Sequence, residues 1–127
     1  MINVQLTQLI MNKSKNVIQE KAFEFSLSII DLYQKLKKKK EYEISRQLLR
    51  SGTSIGANVE EAIAGYSKKD FNYKMGIASR EARETRYWLR LIKASNLLEI
   101  PDEYFSEINQ INAILTSIVK TTSESLK

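Results

Sequence analysis

Apolar side chains recur at steps of three and four along four long stretches, with short polar connectors between them. That spacing stacks side chains on one face of an α-helix. In the first stretch Ile18, Ala22, Phe25, Ile29, Leu32 and Leu36 form the stripe. Lys37-Lys38-Lys39-Lys40 follows it, where cations offset the negative end of a helix dipole. The second helix is predicted over Tyr42 to Ala64, with Ile44, Leu48, Ile55, Val59 and Ala62 facing inward. Its middle, Ser51-Gly52-Thr53-Ser54-Ile55-Gly56-Ala57, is costly, since each Gly loses about 1 kcal/mol relative to Ala in a helix. The apolar phase is unbroken across it. The spacing therefore predicts a continuous helix whose small residues admit a close neighbour.

Gly65 is placed to end that helix, and Ser67 to cap the next with Asp70 three residues on, a near capping box. The third helix then runs to about Ser95, with Asn96 as a stop. Pro101 opens the fourth, where proline is tolerated, and Tyr104, Ile108, Ile111, Leu115 and Ile118 form its stripe. Short connectors between such long helices imply antiparallel neighbours. The predicted fold is all-α, an antiparallel up-and-down four-helix bundle. It divides into an N-terminal extension over residues 1–16, the bundle over 17–122, and a tail over 123–127 expected to fray. Met11 precedes a polar run over 12–16, so either Met1 or Met11 serves as the biological start.

The third helix carries more apolar surface than one stripe. Phe71, Met75, Ala78, Ala82, Thr85, Leu89 and Ile92 make one face. At about 100° per residue, Tyr73, Ile77, Tyr87 and Leu91 gather on a separate arc, with Trp88 between the two. An outer bundle helix needs one stripe only. Large aromatics on a second point to burial by another subunit, because Tyr and Trp are enriched at interfaces. A third helix central enough to touch both neighbours over wide arcs is the other reading.

Charge sharpens this picture. Residues 1–100 carry 18 basic and 11 acidic side chains, or +7, whereas residues 101–127 carry 2 and 4, or −2. Such a basic bias favours phosphate-bearing or otherwise acidic partners. Arg83, Arg86, Arg90 and Lys93 fall within about 80° of one another on the third helix, with Arg80 outside the cluster. Lys68, Lys69 and Lys74 extend the candidate nucleic-acid surface, and Lys37 to Lys40 offer another at a bundle end. Pairing with Glu on neighbouring helices is the competing role for any of these cations.

The composition leaves few routes to catalysis. There is no Cys, hence no disulfide or thiolate site, and no His, the usual general base at neutral pH and the commonest metal ligand. Glu60, Glu61, Glu81 and Glu84 resemble bundle metal ligands only in part, since the Glu-x-x-His element is missing; salt bridges to Arg46, Arg50 or Arg83 are the expected role. No nucleophile elbow, phosphate loop or dinucleotide fingerprint occurs. No apolar run approaches the roughly 18–20 residues of a membrane span, and no secretory signal opens the chain. The expectation is a soluble, cytoplasmic, non-enzymatic protein with no cofactor, no metal and no membrane partner.

Two long motifs carry a resemblance. Residues 50–62, Arg50-Ser51-Gly52-Thr53-Ser54-Ile55-Gly56-Ala57-Asn58-Val59-Glu60-Glu61-Ala62, are followed by Ser67-Lys68-Lys69-Asp70-Phe71, Ile77-Ala78, and then Glu81-Ala82-Arg83-Glu84-Thr85-Arg86-Tyr87-Trp88-Leu89. Over roughly Lys21 to Leu98 the sequence resembles the four-helix bundle family linked to 23S ribosomal RNA intervening sequences. The resemblance implies an antiparallel bundle assembling as a homopentamer, which suits the second apolar face of the third helix. A related bundle, the accessory variability protein of diversity-generating retroelements, is basic and pentameric and binds nucleic acid and a reverse transcriptase. By that analogy the expected partners are the chain itself and RNA or DNA. The alternative is a scaffold docking a nucleic-acid-handling protein without touching nucleic acid. No catalytic residues carry over from the family.

Overall fold

A computed structural model of the chain describes residues 4–127. Its elements are α1 (Val4–Lys38), α2 (Tyr42–Ile63), α3 (Lys68–Ala94) and α4 (Asp102–Ser125). Each helix packs its backbone closely on two neighbours in the order α1–α2–α3–α4–α1, and the diagonal helices lie farther apart. The result is an antiparallel four-helix bundle. The inward stripes read from the sequence all reach the core, except that Ile44 and Tyr104 are only half-buried at its margin.

The small-residue stretch of α2 is continuous helix. Ser51 and Gly52 are fully buried against α1 and α3. A Cβ on Gly52 would stand 2.7 Å from Cγ2 of Ile29, so the two backbones approach closely only because that position has no side chain. Across the other side of α2, the Ser51 and Thr85 hydroxyls are paired at 2.9 Å in the core. Tyr104 donates to the Ser28 carbonyl at 3.1 Å, tying α4 to α1. Burial, with the charge of Asp31 adding to it, raises the Tyr104 pKa above the usual tyrosine value and keeps the phenol a donor.

Helix ends follow the capping residues closely. Ser67 accepts from the Asp70 backbone N–H at 3.1 Å and starts α3. Asn96 adopts φ 58° one residue beyond the α3 cap. The Leu97 N–H then donates to the Ile92 carbonyl and the Asn96 N–H to Lys93, a Schellman closure. Gly65 differs from expectation: its φ is not positive, so conformational freedom is not what places it. Pro101 stands at the N-cap of α4 rather than in its first turn. Helix α1 begins at Val4, inside the segment set apart as an extension, whose residues 1–3 lie outside the described residues. Met11 packs at the core margin, and α4 continues past a buried Thr122 to Ser125.

The α1–α2 turn is closed the same way, but with lysine in the left-handed position. Lys40 has φ 65°, and the Glu41 N–H donates to the Leu36 carbonyl at 3.0 Å. A side chain there costs energy that glycine avoids. Lys40→Gly is expected to raise stability by about 1 kcal/mol, read as a higher urea midpoint with an unchanged slope.

Candidate nucleic-acid and self-association surfaces

The α3 cations separate by the neighbour they face. Arg83 and Arg90 are exposed, and none of Arg83, Arg86, Arg90 or Lys93 has a carboxylate partner among the described residues. Arg86 donates to the Asn109 side chain at 2.9 Å, and the Lys93 ammonium lies 5.2 Å from the Phe105 ring centroid. Both contacts are to α4, so this row runs along the α3–α4 edge. Lys68 and Lys69 are exposed in the first turn of α3. Lys74 does not join them. It sits on the α2 side and pairs with Glu61 at 3.0 Å, because the helix turns it about 180° away from Arg83.

Lys15, not singled out from the sequence, lies 4.8 Å from the Phe71 ring centroid. With Lys68 it lines an open cleft of about 320 Å³ at the end of the bundle where α3 begins. The signal that could have found it is its placement in the helix now seen to start at Val4.

The carboxylates are occupied by cations and amides. Arg50 spans Glu81, at 3.2 Å, and Glu84, and Gln19 donates to Glu60. Of the cations expected to hold these acids, Arg50 takes Glu81 and Glu84; Glu61 goes to Lys74 and Glu60 to Gln19, Arg46 pairs with Glu43 within its own helix, and Arg83 has no carboxylate partner among the described residues. No group of three or more Asp and Glu among the described residues is arranged to hold a metal. No described helix is long and apolar enough to cross a membrane.

The outer arc of α3 is laid open along its length. Tyr73 is 65% exposed and Tyr87 51%, with Leu91 exposed as well. Ile77 and Trp88 are half-buried toward α2. The Trp88 Nε1–H donates to Glu84 at 2.9 Å, and the Tyr87 ring meets the indole edge-on at 5.6 Å. Glu84 is thereby shared between Trp88 and Arg50, which fixes the indole beside the exposed tyrosine.

A second exposed apolar ridge, absent from the sequence reading, lies on α1. Phe23 is 63% exposed and Leu27 55%, with Ile30 beside them. Their spacing of four and three was the available signal, the same one that revealed the outer arc of α3. The inward stripe of α1, stronger and in full register, masked it.

The family model for the 23S rRNA-intervening sequence protein matches residues 14–119. A crystal structure of a protein of unknown function from the S23 ribosomal protein family of Bacteroides thetaiotaomicron VPI-5482 is similar at 42% identity, with a TM-score of 0.78. The match covers 84% of this chain and 98% of that one. No curated protein matches.

Proposed function

The chain belongs to the 23S rRNA-intervening sequence protein family, and from that premise we propose that it is a non-enzymatic, cytoplasmic, homopentameric bundle that binds RNA or DNA through its backbone phosphates. One observation carries the reading. Glu61, Glu81 and Glu84, which border α3, are already neutralised by Lys74 and Arg50, while Arg83, Arg86, Arg90, Lys93, Lys68 and Lys69 keep their charge without a carboxylate partner among the described residues. Arg83, Arg90, Lys68 and Lys69 face outward, where an anion meets them without displacing a carboxylate partner. Self-association through the outer arc of α3 multiplies the modest +5 per chain into a larger field and adds avidity. With cations on a bundle surface and no helix shaped to enter a groove, binding is to phosphate, with weak sequence preference and steep salt dependence.

The test is fluorescence anisotropy with unrelated 20-nucleotide single-stranded RNAs at low and moderate salt. Replacing Lys68, Lys69, Arg90 and Lys93 together by Gln is expected to weaken binding at least tenfold at low salt, equally for every sequence. The salt slope should flatten by about 2–3, as loss of four phosphate contacts requires. Unchanged affinity in a variant of unchanged size and helicity overturns this surface. A wild-type oligomer indifferent to RNA favours the scaffold reading, tested by a pull-down that survives nuclease.

A further inference from the structure

The two exposed apolar ridges belong to diagonal helices, so they face opposite ways from the bundle. Both helices run in the same direction. Gln19 meets Glu60 and Ile29 meets Gly52, so α1 and α2 are antiparallel; Glu61 meets Lys74 and Ser51 meets Thr85, so α2 and α3 are antiparallel too. Chaining these contacts sets the levels along the bundle axis. Ile30 is level with Thr85, and Phe23 with Ala78. At about 1.5 Å per residue, Phe23 therefore stands within ~3 Å of the height of Ile77, and Ile30 within ~3 Å of Tyr87.

The flanking charges match in sign and in side. On α1 the exposed acids Glu20, Glu24 and Asp31 border the ridge toward α4, as the ~100° turn per residue requires. On α3 the exposed Arg80 and Arg83 border the outer arc at its centre and toward α4. Glu24 stands within ~2 Å of the height of Arg80, and Asp31, which pairs with Lys35 in the single chain, stands about 5 Å beyond Arg83, within reach of its long side chain. When a second copy is set beside the first with helix axes parallel, its α1 faces this α3. The α2 and α4 sides then coincide across the contact. Phe23 and Ile30 then meet Ile77 and Tyr87, and Glu24 meets Arg80, at about the same height.

We propose that the Phe23–Leu27–Ile30 ridge of one copy packs on Tyr73, Ile77 and Tyr87 of the next, with Glu24 and Asp31 set against Arg80 and Arg83. The contact is heterologous, two different patches joined head to tail, and so builds a ring or an open chain of copies. It rests on the self-association reading above, and it names the surface that α3 meets. It accounts for two exposed apolar patches on one small bundle, and for Arg80, which lies apart from the phosphate-facing row. Arg83 moves into the interface, and Arg86, Arg90, Lys93, Lys68 and Lys69 remain for phosphate.

Light scattering on the full chain tests this with Leu27→Arg and Tyr87→Arg, each replacing an exposed side chain and checked for unchanged helicity. Each variant alone is expected to be monomeric. Mixed at equal ratio they should form a 1:1 dimer, because one brings an intact α3 arc and the other an intact α1 ridge. Leu27→Arg that assembles like wild type overturns the proposal, as do two monomers that stay apart on mixing. A wild-type chain that is monomeric at micromolar concentration overturns the self-association reading itself, an outcome distinct from an oligomer that Leu27→Arg leaves intact. Glu24→Arg and Arg80→Glu supply a second measurement. Each should weaken assembly at least tenfold, and the chain carrying both should recover it; failure to recover overturns the matching of charges across the contact.

Discussion

Gly52→Val is expected to cost the bundle about 3 kcal/mol, the upper end for overpacking a filled core. The reason is geometric. A Cβ at position 52 meets Cγ2, Cγ1 and Cβ of Ile29 at 2.7, 2.8 and 3.2 Å. These atoms surround the branch point of a β-branched side chain, so no change of rotamer clears them all. Relief requires α1 and α2 to move apart, which opens the fully buried layers on either side, Ala22 with Val59 and Leu32 with Leu48. Gly52→Ala brings the same clash with a smaller group, partly offset by the ~1 kcal/mol that alanine gains over glycine in a helix.

Coupling to Ile29 separates this cause from a general intolerance at the site. Ile29→Ala alone should cost about 2–5 kcal/mol through lost burial and a cavity. In that background Gly52→Ala should become stabilising by about 1 kcal/mol, because Cγ1 and Cγ2, the two atoms it struck hardest, are gone and only the Cβ contact at 3.2 Å remains. Urea unfolding of the two single variants, the double variant and wild type gives the cycle directly. A Gly52→Ala penalty that is the same with and without the Ile29 side chain would rule out the close approach as its source.

The second large effect concerns the polar pair buried between α2 and α3. Thr85 and Ser51 are both fully buried, with hydroxyls 2.9 Å apart. The single Thr85 proton is shared between Ser51 and the Glu81 carbonyl at 2.8 Å, whereas Ser51 itself donates only over a long 3.5 Å to the Leu48 carbonyl. Thr85→Val keeps the shape and strands the Ser51 hydroxyl, an expected loss of about 2 kcal/mol. Ser51→Ala should cost less, since Thr85 retains Glu81. With both replaced, no hydroxyl is left without a partner, and the double variant should be more stable than the sum of the singles predicts. Strict additivity in denaturant unfolding would mean that the pair contributes nothing as a pair.

Legibility in the sequence followed physical locality. The inward stripes were readable because a helix core repeats every three to four residues, and Ile18 through Leu36 or Phe71 through Ile92 keep that phase without a break. Ser67 and Asn96 were readable because capping is settled by a few neighbouring backbone groups. The start of α1 was not. The polar run over 12–16 looks like a lead-in, yet the helix runs through it, and Met11 on its N-terminal side packs at the core margin. For the candidate surface, the α3 cations were identifiable as a group from their angles. That Lys74 falls to Glu61, and Arg50 rather than Arg83 to Glu81 and Glu84, depends on which helix lies across the groove.

The sequence by itself determined four amphipathic helices, their order, most of their ends and the membership of the core. Each of these depends on the side-chain period or on a capping group close in the chain. The tertiary structure decided which faces remain open and which charges remain unpaired. It placed Ile29 over Gly52, gave Glu81 and Glu84 to Arg50, and set the exposed ridge of α1 diagonally opposite the outer arc of α3. Those facts arise from pairs of residues far apart in the chain, and only the packing of one helix on another brings such pairs within reach.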